Sequence, residues 1–237
     1  MPDGPVRPLH GMFSALPPRY DLTNHVITLG LDRGWREAAA KACLETSPHK
    51  VLDLACGTGD LSVAICRFAG YEVDLVGLDY SQPMLDIACK KVAKVPGGKA
   101  TFILGDAANL PFADDDFDCV GISFAFRNLT YKNPLSEPAL AQILRVLKPG
   151  GRFVVVETSQ PRSKIIRRGF HIYLRSFVRT SGFLISGNQG AYRYLAESAA
   201  HFYTPDDVKA LLMKSGFKSD SYRPMLFGAV GIHVAVK

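Results

Sequence analysis

The stretch at 51–60, VLDLACGTGD, leaves the chain few ways to fold. An apolar run around Asp53 reads as a buried strand, Gly57-Thr58-Gly59 as a sharp turn, and the residues from Leu61 as a helix. A strand, a glycine turn and a helix in succession bring backbone N–H groups and a helix N-terminus against a small polar or anionic ligand, because glycine has no Cβ to hold the ligand off. A dinucleotide fingerprint would need a third glycine where the chain has Ser62, which disfavours a nicotinamide cofactor. Two further acids close apolar runs. Asp79 follows VDLVGL, 22 residues beyond Gly57, where a carboxylate can accept both hydroxyls of an adenosine ribose. Asp106 opens DAANLPF and is placed to accept from an adenine amine. Each acid alone reads as a turn residue or a cap; three at consecutive strand ends do not.

The rest of the chain repeats this grammar. Strands are expected at 50–55, 73–78, 100–104, 117–122 and 152–157, and helices at 60–69, at 81–94 with Ser81 as N-cap, and at 135–147, which stops at Lys148-Pro149-Gly150-Gly151. Such alternation implies an α/β fold, a mostly parallel sheet with helices on both faces, and a ligand at the carboxyl ends of its strands, where Asp79, Asp106 and Ser123 fall. After Pro161 the alternation stops, and 162–203 reads as helical. Lys164, Arg168, His171, Arg175 and Arg179 form one stripe, with Ile165, Ile166, Ile172, Phe177 and Val178 on the other faces. Two readings stand: a solvated basic face, or a cover over an apolar substrate that also touches an anionic membrane surface. A helix at 205–215, capped by Thr204-Pro205-Asp206, and strands at 219–224 and 226–236 close the chain. Ahead of the core, residues 1–11 are rich in Pro and Gly, and 12–35 carries short helical patterns. Tyr20 and Trp35 beside Arg19, Asp21 and Arg36 give that prefix an edge suited to covering a ligand.

At 237 residues and 47% hydrophobic content, one domain is expected: a helical cover at 1–48, a cofactor-binding core at 49–158, a helical insertion at 159–203, and a C-terminal helix and hairpin at 204–237. The formal charge of +6 is local, since seven basic residues and no acid lie between Thr158 and Ala196. A nucleic-acid enzyme would spread that charge along a groove and interleave aromatics, so no nucleic acid is expected as partner. No apolar run approaches the roughly 20 residues that span a bilayer, and MPDGPVRPLH lacks a signal core, which points to the cytosol. The five cysteines form no CxxC pair and read as small buried residues, with no disulfide framework and no metal site.

DLACGTGD, then GLD, then GDAANLPF resemble, in that order, the class I S-adenosylmethionine methyltransferases. That resemblance implies a Rossmann-like sheet of seven strands with a closing antiparallel hairpin, and S-adenosylmethionine as methyl donor. Three other stretches, MFSALPPRYDLTNHVITLGLDRGWR, SFAFRNLT at 123–130 and AYRYLAESAAHFYTPDDVKALLMKSGF at 191–217, resemble the menaquinone and ubiquinone biosynthesis C-methyltransferases over nearly the whole chain. This implies C-methylation of a reduced polyprenyl quinone precursor, demethylmenaquinol foremost, by a cytoplasmic protein peripheral at the inner face of the membrane; a homo-oligomer is left open. Carried over by position, the family's cofactor contacts fall on Thr58, Asp79, Asp106, Ala107 and Ser123, and Tyr20, Asp53, Gly57, Gly59 and Met84 join them as cofactor-site candidates. Arg127 and Asn128 are the catalytic candidates: Arg127, which does not deprotonate, to stabilise a developing naphtholate while water takes the proton, and Asn128 to orient the ring oxygen. Tyr194 and His233 are candidates for the acceptor pocket. The chain departs from the family at Ala125, where a glycine is usual, and at Tyr131, where an acid often stands. Two competing readings remain: a methyltransferase for another small hydrophobic acceptor, such as a ubiquinone precursor, a phenol or a sterol-like compound, or a non-catalytic organiser of a quinone-making complex. Ser123-Phe124-Ala125-Phe126 stands where base-amine methyltransferases carry Asn/Asp-Pro-Pro-Tyr, which argues against a DNA amine.

Overall fold

The computed structural model describes residues 17–178, 180–181 and 189–237, so what was expected of 1–16, of Arg179 and of 182–188 lies outside the described residues. Helices α1 (Pro17–Ile27) and α2 (Asp32–Leu44) lead into β1 (Lys50–Leu54), α3 (Asp60–Phe68), β2 (Asp74–Asp79), α4 (Gln82–Val92), β3 (Thr101–Leu104) and β4 (Phe117–Ser123). There follow α5 (Phe126–Thr130), α6 (Ser136–Val146), β5 (Leu147–Thr158), α7 (Lys164–Tyr173) with a π-helical turn at Leu174–Val178, α8 (Gln189–Ala200), α9 (Pro205–Lys214), β6 (Ser219–Met225) and β7 (Val230–Val236).

The seven strands form one sheet in the order β3-β2-β1-β4-β5-β7-β6. β1 to β5 pair in parallel, and β7 runs antiparallel between β5 and β6. Between β1 and β4 the winding of the chain reverses, which opens a crevice at the carboxyl ends of those strands. Both faces of the sheet are covered, so the central strands are apolar without alternation. Leu52 and Leu54 of β1 pack with Val120, Ile122, Val155 and the α6 residues Leu140 and Ile143. Val51 faces the opposite layer, against Cys43, Leu61 and Ile65. Among the described residues no helix is long and apolar enough to cross a membrane.

Several local expectations need correction. Ser81 occupies the N-cap position of α4, but its hydroxyl makes no capping bond; its amide instead donates to Asp79 Oδ1 at 2.9 Å. Thr204 does cap, closing a reciprocal box with Asp207 at the start of α9. β5 begins at Leu147, ahead of the glycines, because Leu147 already pairs with Phe117. α5 has too few residues to show a helical period. The segment after Pro161 is not one regular helix, since α7 passes into the π-helical turn at Leu174. His171 leaves the basic stripe: its Nε2 lies 2.9 Å from Gln160 Oε1, and burial, followed by Arg175, His201 and Arg167, lowers its pKa. β7 starts at Val230 because Leu226, Phe227 and Gly228 turn through positive φ of 45°, 55° and 87°. Cys43, Cys56 and Cys119 are buried, but Cys66 is half-buried and Cys89 exposed.

Candidate active site

The carboxyl edge of the sheet is shaped first by backbone. Ala55 and Phe124, just beyond β1 and β4, and Gly57 and Gly59 between them, all have positive φ, from 52° to 78°. Left-handed residues of this kind tend to cluster at ligand sites. Gly59 also lets two helices meet, since a Cβ there would lie 2.7 Å from the Cβ of Ala88 on α4. A Cβ on Gly57 would meet nothing within 4 Å, so that side of the turn is open.

Asp79 ties this turn to β2. Its carboxylate accepts from the Gly57 amide at 2.8 Å and from the Ser81 amide at 2.9 Å. Burial pushes its pKa up, and the amides of Gly57, Ser81 and Tyr80 hold it back. Asp53 sits deeper, with one oxygen 2.6 Å from the Ser62 hydroxyl and the other buried without a partner among the described residues. Burial raises its pKa to about 7, the Ser62 bonds oppose the rise, and the carboxylates of Asp79 and Asp60 add to it. Ser81 Oγ and Ser123 Oγ are likewise buried and unpartnered among the described residues. Buried polar atoms are nearly always satisfied, so three such atoms, from the ends of β1 and β4 and the start of α4, fit a ligand that brings its own donors and acceptors. S-adenosylmethionine, with ribose hydroxyls, an adenine amine and an ammonium group, has the chemistry this set requires.

A carboxyl whose folded pKa lies above its unfolded one favours the fold below the unfolded value, near 3.8, and loses that contribution as pH rises through about 7. Asp53→Asn cannot ionise. Its stability relative to wild type is therefore expected to rise by roughly 2–4 kcal/mol between pH 4 and pH 8, read by urea denaturation at the two pH values. Parallel pH profiles for the two proteins would mean that Asp53 does not titrate in this window.

Asp106 is turned onto its own loop: its Oδ1 accepts from the Ala108 amide at 3.0 Å, and its backbone bridges to Asn109. Ala107 and Met84 are buried beside it and in the first turn of α4. Thr58 is pinned from outside the core, since its hydroxyl donates to Asp21 of α1 at 2.6 Å and accepts from Lys91 at 3.2 Å. Lys91 also pairs with Asp21 at 2.9 Å and with Asp60. Arg36 of α2 pairs with Asp32 and lies 5.4 Å over the Phe124 ring, which Trp35 meets at 5.8 Å. The prefix helices thus lie across the glycine turn and the end of β4. Tyr20 comes with them: burial raises its pKa, the Asn24 bond and Arg36 lower it, and Asp79 and Asp21 raise it further.

Beyond β4 lies a second cluster. Arg127 is only 3% exposed. Its Nη1 donates to Glu157 Oε1 at 2.8 Å and to Thr158 Oγ1 at 3.1 Å, and its Nε to Ser198 Oγ at 3.0 Å. Its amide donates to the other Glu157 oxygen at 3.0 Å. Among the described residues Nη2 meets no acceptor. Tyr194 on α8 reaches Asn128 Oδ1 at 3.5 Å, and burial raises the pKa of its phenol.

Asp53, Gly57, Gly59, Asp79 and Ser123 therefore share one edge, with Arg127, Asn128 and Tyr194 beside it. His233 has its Nδ1 2.9 Å from Asp220 and its ring 4.7 Å from Tyr222, and it lines a small cavity together with Phe126, Glu157 and Thr158. Sequence reasoning missed Glu157 and Tyr80. Glu157 ends the run Val154-Val155-Val156 on β5, and the test that found Asp53 and Asp79, an acid closing an apolar strand, would have found it too. Tyr80 follows Asp79, and its pKa is raised by burial first and then by Asp79, Tyr20 and Tyr194.

Comparison with known proteins places the chain in a family and supports its fold. The model of the ubiE/COQ5 methyltransferase family matches residues 5–237. A Thermus thermophilus protein named demethylmenaquinone methyltransferase is 44% identical over 224 residues, 94% of this chain and 98% of that one. A Geobacter sulfurreducens protein named ubiquinone/menaquinone biosynthesis C-methyltransferase UbiE is 37% identical over 97% of this chain and 88% of its own. Among solved structures, a SAM-dependent methyltransferase from Aquifex aeolicus superposes with a TM-score of 0.56 at 17% identity, over 79% of this chain and 81% of that one. Another, from Thermotoga maritima, gives 0.58 at 18%, over 92% and 97%. At such identities the two structures speak for the fold alone.

Proposed function

The chain belongs to the ubiE/COQ5 methyltransferase family, and from that premise we propose that it C-methylates a reduced polyprenyl quinone precursor, demethylmenaquinol foremost, at a membrane surface. The observation that carries the acceptor side of this reading is the buried guanidinium of Arg127, held by Glu157 and Ser198, with one terminal nitrogen unspent among the described residues, beside Asn128 and Tyr194.

Asp79, Asp53, Ser81, Ser123 and the Gly57 turn would hold S-adenosylmethionine, which supplies when bound a methyl group on a sulfonium, already a good leaving centre. What the protein must add is a nucleophilic ring carbon and its alignment. A quinol becomes nucleophilic when a ring hydroxyl loses its proton, because the resulting oxyanion pushes electron density onto the ortho carbon; the oxidised quinone has no such carbon. Arg127 remains a cation throughout. Fixed by Glu157, it acts as a pre-set donor to the developing oxyanion, water receives the proton, and the Asn128 amide N–H₂ orients the ring oxygen. As the carbon–carbon bond forms, the methyl's bond to sulfur breaks; the hydrogen on the methylated carbon then leaves as a proton while the ring oxygen regains one, so the quinol is restored with one proton released overall. Alignment can contribute ~7–11 kcal/mol, against roughly 10²–10⁴-fold from a positioned base, so enclosure by α1 and α8 outweighs any single proton acceptor. The test is labelled methyl incorporation into reduced demethylmenaquinone, with a demethoxy-type benzoquinol and the oxidised quinone alongside. Methylation of the benzoquinol alone would overturn the acceptor assignment, and no methylation of any of them would overturn the reaction.

The substrate's tail lies in the bilayer, and α7 suits a meeting there. None of its residues is fully buried, Ile165 and Ile172 are 85% and 60% exposed, and Lys164, Arg168 and Arg175 lie exposed among them. Each such cation near an anionic leaflet contributes ~1 kcal/mol, screened over ~8 Å at physiological ionic strength. Changing Arg168, Arg175 and Arg179 to Gln is expected to weaken binding to anionic vesicles about a hundredfold, with short-tailed quinols still methylated. Co-sedimentation reads this, and equal binding by wild type and variant would leave the stripe as a solvated helix face.

A further inference from the structure

The turn between β6 and β7 carries residues that its backbone does not favour. Leu226, Phe227 and Gly228 are all left-handed, a conformation for which Asn, Asp and Gly are the ordinary choices in hairpin turns. Packing does not account for the two large side chains, because Phe227 is 80% exposed and Leu226 42%. The turn is firmly placed nonetheless. The Ser159 amide donates to the Ala229 carbonyl at 2.9 Å, a Cβ on Gly228 would sit 3.5 Å from the Cα of Pro161, and Val230 pairs with Thr158 at the end of β5.

Pro161 is also where the chain departs into α7, so Leu226 and Phe227 lie beside the start of the helix that exposes Ile165. The two elements that flank the turn carry cations, Lys164, Arg167 and Arg168 on α7 and Arg223 on β6, none in an ion pair among the described residues; Arg162 reaches Asp206 at 3.7 Å. The exposed tip is apolar, and the two elements that flank it are basic. A second copy of the chain docked there by two-fold symmetry would set the same cations against each other. An anionic bilayer interface satisfies both parts at once, the headgroups meeting the cations and the acyl boundary the two side chains.

We infer that the Leu226-Phe227 turn inserts into the membrane interface as a second, apolar anchor next to α7. This rests on the membrane reading given above and adds to it an attachment that salt does not screen. The insertion also fixes orientation, because Thr158, opposite Val230, is the neighbour of the Glu157 that holds Arg127.

The test replaces the turn by Asn-Gly, a pair suited to left-handed positions, so Leu226→Asn/Phe227→Gly is expected to fold with an unchanged or higher melting temperature. Vesicles of neutral lipid, with and without an anionic fraction, are used at low and high salt. Wild type is expected to retain a bound fraction at high salt. The double variant is expected to lose that fraction and to bind about tenfold more weakly or worse, while methylating a short-tailed quinol at the wild-type rate. If wild type binds anionic vesicles and the variant matches it at both salt concentrations, insertion is overturned and attraction by the basic helix alone remains. If wild type binds no vesicle, the membrane reading itself fails, and insertion with it. A wild-type dimer that the variant converts to monomer would give the turn to a second copy and overturn insertion too.

Discussion

Replacing Arg127 by Met is expected to destabilise the protein by about 3–5 kcal/mol and to lower turnover on reduced quinol by roughly 10²–10³-fold. The first effect follows from burial. Glu157 is 3% exposed, and without the guanidinium its charge keeps only the Thr158 groups and one backbone amide as partners. Against a total stability of about 5–15 kcal/mol for a typical domain, that loss is large enough to obscure the second effect. The double variant Arg127→Met/Glu157→Gln separates them, because it removes both charges together. Its stability is expected to return most of the way to wild type, and its turnover is not. Denaturant unfolding and single-turnover rates at saturating cofactor read the two quantities. A double variant with wild-type turnover would reduce Arg127 to a brace between β5 and α8.

Asp79→Ala is expected to weaken cofactor binding by ~1.5–3 kcal/mol for each charged hydrogen bond lost, at least about tenfold in affinity. Two losses combine. On the reading proposed above the ribose would lose its acceptor, and the amides of Gly57 and Ser81 lose the carboxylate that now holds the turn against α4. Asp79→Asn should fall between the two, since an amide has one acceptor oxygen and cannot serve both backbone donors. Calorimetric titration with S-adenosylhomocysteine gives the affinities. Unchanged affinity in a folded Asp79→Ala protein would remove Asp79 from the site.

The features legible in the sequence were those that depend on neighbours along the chain. Strand, glycine turn and helix at 51–60 involve contacts within a few residues, and the acids that close β1 and β2 stand where an apolar run gives way to polar sequence. What the sequence hid depends on side chains brought together from far apart. Thr58 looks like any turn threonine until Asp21 and Lys91 arrive from α1 and α4 to hold its hydroxyl. Arg127 finds Glu157 and Ser198 on two other elements, and no spacing rule joins those three positions. Ser81 shows the converse case. Its position at the head of α4 was plain, but Asp79 satisfies its amide, so the hydroxyl that would ordinarily cap the helix is left over. The basic stripe after Pro161 was visible as composition, whereas the inward turn of His171 was not, because Gln160 precedes the helix and draws the ring toward it.

The contact between Gly59 and Ala88 ties the glycine turn to a buried position on α4. With the two backbones so close that a Cβ on Gly59 would fall 2.7 Å from that of Ala88, any branched side chain at 88 would be pressed against the cofactor turn. Position 88 is thereby expected to accept only glycine, alanine or serine without displacing the turn, and a bulkier residue there is expected to lower methyl-donor affinity. A saturation library at position 88, sorted by donor affinity with folding held constant, would show that limit directly. It also offers an engineer a way to retune the turn in graded steps without altering any group that faces the substrate.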